Sequence, residues 1–176
     1  MLSTGNSLQA RLHADGEQII RHAIAAVLPD EAVCRALKDV TFSGRVFLVA
    51  VGKAAWQMAN AAIGCLGRVD RGIVITKYGH LGAPLAGIDC YEGGHPVPDK
   101  NSLQATDAVL RMTADLRADD TVLFLLSGGG SALFEKPLIP LEELQSITAQ
   151  LLASGADIVE MNTIRKRLSA VKGGRF

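Results

Sequence analysis

The sequence lacks an excess of charge of either sign, because its 176 residues hold 18 Lys and Arg against 18 Asp and Glu. No global field therefore draws the chain to nucleic acid or to a membrane surface. It also lacks any apolar run approaching the length of about 18 residues that a membrane-spanning helix needs, and its polar start has no signal-peptide core. These absences predict a cytoplasmic protein with no nucleic-acid and no membrane partner.

Cysteine is scarce and irregularly placed. Cys34, Cys65 and Cys90 lie far apart, form no CxxC pair and are odd in number. This pattern favours buried free thiols in a reducing compartment over a disulfide framework or a zinc site. His95 has no matching His, Cys or acidic spacing, so we interpret it as a turn histidine and predict no metal ligand in this chain.

Short apolar runs alternate with amphipathic segments along the chain. Unbroken runs predict strands buried on both faces at 45–51, 72–76, 88–91 and from 121 onward. Helical spacing predicts helices at 8–28, 30–37, 54–66, 99–116, 141–152 and 158–171, of which Asp30, Asp99 and Asp157 are the expected N-caps. The alternation is typical of βαβ units. We predict an α/β fold, Rossmann-like, with three α/β/α layers and a mainly parallel sheet.

Three glycine-containing loops follow strands, where ligands bind in such folds: Gly52-Lys53, Gly93–Asp99 and Ser127–Ser131. Gly52 and Lys53 place a cation at a helix start, which is favourable if an anion lies between the lysine and the helix amides. Ser127, Gly128, Gly129, Gly130 and Ser131 form a turn whose backbone N–H groups can point at a phosphate. A solvated lysine and a turn that binds nothing remain the alternatives.

Neither the Gly52-Lys53 turn nor the Ser127–Ser131 turn matches a familiar motif. A P-loop needs glycine where Phe47 stands and Ser or Thr where Ala54 stands. The second turn has Leu133 in place of the last small residue of the dinucleotide fingerprint, and it also lacks the final glycine of a GxSxG nucleophile elbow. The sequence therefore disfavours a P-loop, an NAD site and a serine hydrolase.

The last predicted helix and the turn after it are strongly basic. Residues 161–175 hold five basic side chains and no acidic one. Ile164, Leu168 and Val171 have the spacing of a buried stripe, which leaves the neighbouring face to polar side chains. That face holds Asn162, Arg165, Lys166 and Ser169, with Lys172 at its end. A solvated basic face is one interpretation, and a local anion site is the other.

Four separated segments together resemble the glycerate 2-kinase family, whose members are also labelled hydroxypyruvate reductase and end in a MOFRL domain. The segments are VGKAAWQMANAA (51–62), GGHPVPDKNSLQAT (93–106), LSGGGSALFEKP (126–137) and MNTIRKRLSAVKGGR (161–175). The resemblance implies a two-domain α/β kinase that transfers the γ-phosphoryl group of ATP to the 2-hydroxyl of D-glycerate, giving 2-phosphoglycerate, with Mg²⁺ as the usual metal.

The resemblance also implies roles for particular residues. Lys53 matches the lysine held to be essential in the family, and with Arg165 and Lys166 it forms the expected catalytic set. The expected phosphate and substrate contacts are Gly52, Ser127, Gly128, Gly129, Gly130, Ser131, Asn162, Lys172, Gly173 and Gly174. Residues 1–176 are then an incomplete N-terminal Rossmann-like domain, because the family continues past Lys-Gly-Gly into a C-terminal domain that is absent from this sequence.

Two other functions remain open at this level. One is an NAD(P)H-dependent hydroxypyruvate reductase, which the alternative family label suggests and the broken dinucleotide fingerprint disfavours. The other is a truncated, non-catalytic remnant that at most binds an anion.

Overall fold

A computed structural model describes residues 4–176, with side chains from Ser7 onward. Within this range, helices and strands follow one another in the order α1 (Thr4–Val27), α2 (Asp30–Leu37), β1 (Val46–Val51), α3 (Ala55–Leu66), β2 (Arg71–Lys77), β3 (Ile88–Gly93), α4 (Lys100–Met112), β4 (Thr121–Leu126), α5 (Gly130–Leu133), α6 (Leu141–Ala153) and α7 (Ile158–Arg167). Every predicted helix and strand is present. The one-turn helix α5 was not predicted.

The four strands form one parallel sheet in the order β3-β2-β1-β4. In this register Val51, at the end of β1, lies opposite Ile75 of β2 and Leu126 of β4. The predicted parallel sheet is therefore confirmed, and in the described residues its pairings are parallel throughout.

Alternate residues of β1 pack into two separate cores. Phe47, Val49 and Val51 face one core, which α4, α5 and Val171 help to close. Leu48 and Ala50 face the other core, which is closed by α2 and by the alanine-rich face of α3. All six residues of β1 are buried, as expected for a strand covered on both sides. The predicted α/β/α layering is confirmed.

The strand order fixes where a ligand would bind. The chain runs outward from β1 through β2 to β3, and then α4 returns it across the sheet so that β4 joins the other side of β1. The loops that leave β1 and β4 therefore begin side by side at the carboxyl edge of the sheet and lead to helices on opposite faces, and we call the edge where they part the crevice. This is the topological switch point at which parallel α/β sheets bind ligands.

Three local predictions are wrong. Pro29, not Asp30, stands at the N-cap of α2, and the Asp30 carboxylate instead accepts hydrogen bonds of 2.8 Å from Gln57 Nε2 on α3. Helix α4 ends at Met112 rather than near residue 116. The structure joins Cys34 of α2 to Cys65 of α3 in a disulfide, which leaves Cys90 as the free cysteine. The packing of α2 on α3 brings together two cysteines that are 31 residues apart.

The side chains of α1 are the most exposed of any helix in the described residues. Leu12, Ile19, Ile20 and Val27 are each more than half exposed, although their spacing is that of an amphipathic helix. Across the described residues, no helix is both long enough and apolar enough to cross a bilayer.

Candidate functional site

The loops after β1 and β4 are held together by their backbones at the carboxyl edge. Ser127 N–H donates to Val51 O and Lys53 N–H donates to Gly128 O, each over 2.9 Å. A third hydrogen bond joins the loops, because Ser127 Oγ accepts from Ala54 N–H, at the N-cap of α3, over 3.0 Å. The two turns predicted from sequence therefore form one structure, in which Ser127 is a structural link.

Close approach of these two loops depends on glycine. Gly52 has a φ of +122°, and a Cβ atom there would lie 2.2 Å from Ser127 Oγ and 2.6 Å from Ser127 O. Gly129 has a φ of +90°, and a Cβ atom there would lie 2.8 Å from the ring of His95. Only glycine fits both the conformation and the space at these positions.

The turn after β4 leaves backbone donors free. Among the described residues, the N–H groups of Gly128 and Gly129 have no hydrogen-bond acceptor. The side of Gly128 on which a Cβ would stand is open space. Unpaired amides in a glycine turn at a strand end are a common way to bind an anion.

Positive charge converges on this turn. The pKa of His95 is lowered by burial and by the positive charges of Lys53, Lys77 and Arg165. Lys53 Cγ lies 3.4 Å from where a Gly129 Cβ would stand, on the same side as the His95 ring. His80 closes the group, since its Nδ1 lies 3.3 Å from Lys53 O. We call Lys53, Lys77 and Arg165 the cation cluster, and the imidazoles of His80 and His95 lie beside it.

His95 lies in a third loop, after β3, whose end is held by hydrogen bonds to Asp99. Asp99 caps α4 by accepting from Ser102 N–H (2.9 Å), and Tyr78 OH donates to its other oxygen (2.6 Å). Burial opposes ionisation of Asp99, but the hydrogen bonds from Tyr78, Ser102 and Gly94 together hold its pKa below the usual range. The predicted N-cap is confirmed, and the Asp99 carboxylate is fully engaged.

Helix α7 brings Arg165 to the edge of the turn. Arg165 Nη2 donates to Ser131 O over 3.2 Å, whereas Arg165 Nε is buried without a partner in the described structure. Burial lowers the pKa of Arg165 and Glu135 opposes that shift. A partly buried guanidinium with an unused donor is suited to bind an anion.

The predicted length of α7 is wrong, and of the predicted buried stripe Val171 is buried whereas Ile164 is not. The helix ends at Arg167 rather than near Val171, and Ile164 is 41% exposed. Beyond the helix the chain pairs with the segment after α5: Leu138 N–H donates to Leu168 O, and Ala170 N–H donates to Lys136 O. This pairing turns residues 168–171 away from the helical path.

Lys172 lies inside the protein rather than at the end of a basic face. Its Nζ forms an ion pair with Glu135 Oε2 and also donates to Phe134 O over 2.9 Å. The Lys172 side chain is 12% exposed and that of Glu135 is 1% exposed. Burial lowers the pKa of Lys172, and the Glu135 carboxylate opposes the shift. The contacts of Lys172 are therefore structural.

The remaining predicted contacts line a groove of about 480 Å³ on the far side of the glycine turn. The groove is lined by Gly130, Ser131, Asn162, Lys166, Lys172, Gly173 and Gly174, together with Phe124, Phe134 and Phe176. The structure thus divides the predicted residues. Gly52, Lys53, Ser127, Gly128, Gly129 and Arg165 surround the crevice, and the others lie beside it.

Sequence reasoning interpreted His95 only as a turn histidine, and it missed His80, Lys77 and Glu135. The signal for His95 was its place in a glycine- and proline-rich loop directly after a strand, at the ligand-binding edge. Within the part of the chain that the structure describes, no group of three or more His, Cys, Asp or Glu side chains is arranged to hold a metal ion.

Comparisons with known proteins agree on one family. A family model described as a domain of unknown function, DUF4147, matches residues 15–176. D-glycerate 2-kinase of Thermotoga maritima is 54% identical over 90% of this chain and 39% of its own length. Glycerate 2-kinase of Pyrococcus horikoshii is 42% identical over 92% of this chain and 39% of its own length.

A solved structure supports the fold. The crystal structure of glycerate kinase from Thermotoga maritima superimposes with a TM-score of 0.84 at 52% identity, over 95% of this chain and 41% of that one. The chain therefore spans about two fifths of the length of the relatives it matches.

Proposed function

Because this chain belongs to the glycerate kinase family, we propose that it forms the N-terminal part of the active site of a D-glycerate 2-kinase. The reaction proposed is transfer of the γ-phosphoryl group of ATP to the 2-hydroxyl of D-glycerate, giving 2-phosphoglycerate. The observation that carries the proposal is the cation cluster beside the free amides of Gly128 and Gly129. Phosphoryl transfer demands such positioning and charge neutralisation more than it demands covalent chemistry.

Each group of the crevice has a proposed task. Lys53 contacts the transferring phosphoryl group or the carboxylate of glycerate, and the amides of Gly128 and Gly129 hold an oxyanion. Arg165 adds the positive charge of its guanidinium beside the turn. Lys166 and Asn162 act from the adjoining groove, and Ser127 keeps the two loops in contact.

The crevice suits a nucleoside triphosphate, because the space beside Gly128 is open, the amides of Gly128 and Gly129 are free and cations surround the turn. ATP supplies the phosphoryl group when it is bound. The described residues hold no ready cage for Mg²⁺, so no step is assigned to a protein-bound metal. Mg²⁺ often keeps several waters and enters with the substrate phosphates.

The rest of the site is proposed to come from outside these residues. The relatives are more than twice as long as the matched segment, and we propose that a C-terminal domain closes the crevice over the substrates. In this scheme residues 1–176 are part of the N-terminal Rossmann-like domain, and the protein acts in the cytoplasm.

Binding of small anions tests the proposal directly. We expect D-glycerate and inorganic phosphate to shift amide resonances of Gly128 and Gly129, and Lys53→Ala to weaken both affinities about tenfold or more. Lys38→Ala is the matched control, because Lys38 lies near the amino end of β1 at the opposite edge of the sheet. It should leave both affinities unchanged.

Activity is measured in parallel as 2-phosphoglycerate formed from D-glycerate, ATP and Mg²⁺, beside NADH oxidation with hydroxypyruvate. Formation of 2-phosphoglycerate that depends on Lys53 supports the kinase. Turnover of hydroxypyruvate with NADH, or failure of the wild-type chain to bind either anion, would overturn the proposal.

A further inference from the structure

His95 stands in the crevice with its ring uncommitted. The Cδ2–Nε2 edge of its imidazole lies 2.8 Å from where a Gly129 Cβ would stand, and Lys53 lies against the same point. In the described structure the His95 ring forms no hydrogen bond with any protein group, and the ring is only partly buried. A half-buried imidazole with free ring nitrogens at a ligand-binding edge is available to a ligand.

The surroundings of His95 supply donors and positive charge but few free acceptors. Lys53, Lys77 and Arg165 are cations, and the amides of Gly128 and Gly129 are donors. The nearby carboxylates are occupied: Asp99 accepts from Tyr78 and Ser102, and Glu92 accepts from Gly79 N–H at 2.7 Å. The donors and cations of this crevice can bind an anionic group of a ligand. A hydroxyl group of the same ligand also needs an acceptor for its hydrogen.

From this arrangement we infer that His95 is a specificity-determining residue of the site, whose neutral imidazole accepts a hydrogen bond from the hydroxyl beside the carboxylate of a small 2-hydroxy acid. The inference rests on the proposed function, because it assumes that the carboxylate is held by Lys53 and the glycine turn. The cations around His95 favour the neutral ring that such an acceptor requires.

The contact gives His95 a discriminating role. A ligand without the 2-hydroxyl leaves the imidazole unpaired in a partly desolvated site, and that loss lowers affinity. D-Lactate keeps the 2-hydroxyl and lacks the terminal one, whereas 3-hydroxypropanoate keeps the terminal hydroxyl and lacks the other. We expect the wild-type chain to bind D-glycerate and D-lactate about tenfold more tightly than 3-hydroxypropanoate.

Two substitutions distinguish loss of the His95 hydrogen bond from loss of the folded structure. His95→Phe keeps a flat ring without an acceptor and should abolish the tenfold preference while inorganic phosphate still binds. His95→Gln keeps an acceptor and should restore part of the preference. His22→Gln, on exposed α1, is the matched control and should change nothing. Affinities come from chemical-shift titrations of the Gly128 and Gly129 amides.

A measurement on the wild-type chain makes the test independent of variant folding. The imidazole resonances of His95, assigned by their loss in His95→Gln, should shift with D-glycerate and move far less with 3-hydroxypropanoate. Equal shifts with both acids, or an unchanged preference in His95→Phe, would overturn the inference while leaving the kinase proposal standing. If neither acid nor phosphate binds the wild-type chain, both are overturned.

Discussion

Gly52 stands where the end of β1 passes closest to the turn after β4. Any side chain there meets the backbone of Ser127 at 2.6 Å and is forced into a φ of +122°. We expect Gly52→Ala to lower the free energy of unfolding by about 2 kcal/mol or more, because both the strained φ and the clash must be relieved. Urea denaturation followed by circular dichroism measures the change.

Gly128→Ala is the control for that substitution. Its φ lies outside the left-handed region and its Cβ would meet open space, so we expect a change within about 0.5 kcal/mol. Equal destabilisation by the two variants would show that the close approach of the loops contributes nothing to stability.

Glu135 and Lys172 form a buried ion pair between the segment after α5 and the turn after α7. Lys172→Met should cost about 3–5 kcal/mol of stability, because it leaves the Glu135 carboxylate buried and unpaired. The double substitution Glu135→Met with Lys172→Met should cost clearly less than the two single substitutions together. Thermal or urea unfolding of the three variants gives the coupling, and strict additivity would contradict the pair.

Residues near strand ends could be predicted from sequence, and residues that depend on a distant partner could not. Gly52 and Lys53 followed from an apolar run that ends in glycine before a helix. Lys172 was predicted at the end of a basic helix face and as a phosphate or substrate contact, since nothing local reveals that Glu135, 37 residues earlier, is buried beside it. His95 was placed correctly in a turn, but its neighbours come from other strands.

At the level of elements, β1 and α1 differ sharply in how much they contribute to the core. Val49 of β1 is fully buried, whereas Ile20 of α1 is 59% exposed. We expect Val49→Ala to cost about 2 kcal/mol and Ile20→Ala to stay within about 0.5 kcal/mol. Urea unfolding measures both changes. A large effect of Ile20→Ala would show that α1 packs more closely than its exposure indicates.

Strands were predicted more accurately than helix ends. The strands are short unbroken apolar runs, and a run buried on both faces has few alternative structures. The end of α7 was placed four residues too late, because pairing of residues 168–170 with 136–138 competes with helix continuation. That competition depends on tertiary contacts, which periodicity does not contain. The apolar stripe of α1 predicted a helix correctly but did not predict that it remains exposed.

At the level of the whole molecule, His95 and Asp120 make the free energy of unfolding depend on pH. The pKa of His95 is lowered in the folded state by burial and neighbouring cations. The unfolded chain then binds more protons, so stability should fall as the pH drops below about 6.5. The pKa of Asp120 is lowered by its hydrogen bonds with Arg45, and that contribution should be lost below about pH 4.

Urea unfolding at a series of pH values measures both steps. His95→Gln should flatten the upper step and Asp120→Asn the lower one, with His22→Gln as a control for removing a histidine. If the upper step is the same in His95→Gln and in the wild-type protein, the environment assigned to His95 is wrong.

The general architecture could be predicted, whereas the strand order could not. Alternating strands and helices indicate a parallel sheet with helices on both faces, as observed. The order β3-β2-β1-β4 depends on which side of β1 the last strand joins, and no short-range pattern records that choice. The pairing of Cys34 with Cys65 depends equally on how α2 and α3 pack.

The shared register of β1, β2 and β4 restricts how the length of the chain can change. Val51, Ile75 and Leu126 lie level with one another, so the loops that follow them begin at a common height. One residue added to or removed from β1 or β4 would exchange the two faces of that strand and displace Lys53 or Gly129 by about 3.3 Å. The crevice therefore tolerates substitution inside these strands far better than insertion or deletion, and libraries of variants should keep their lengths fixed.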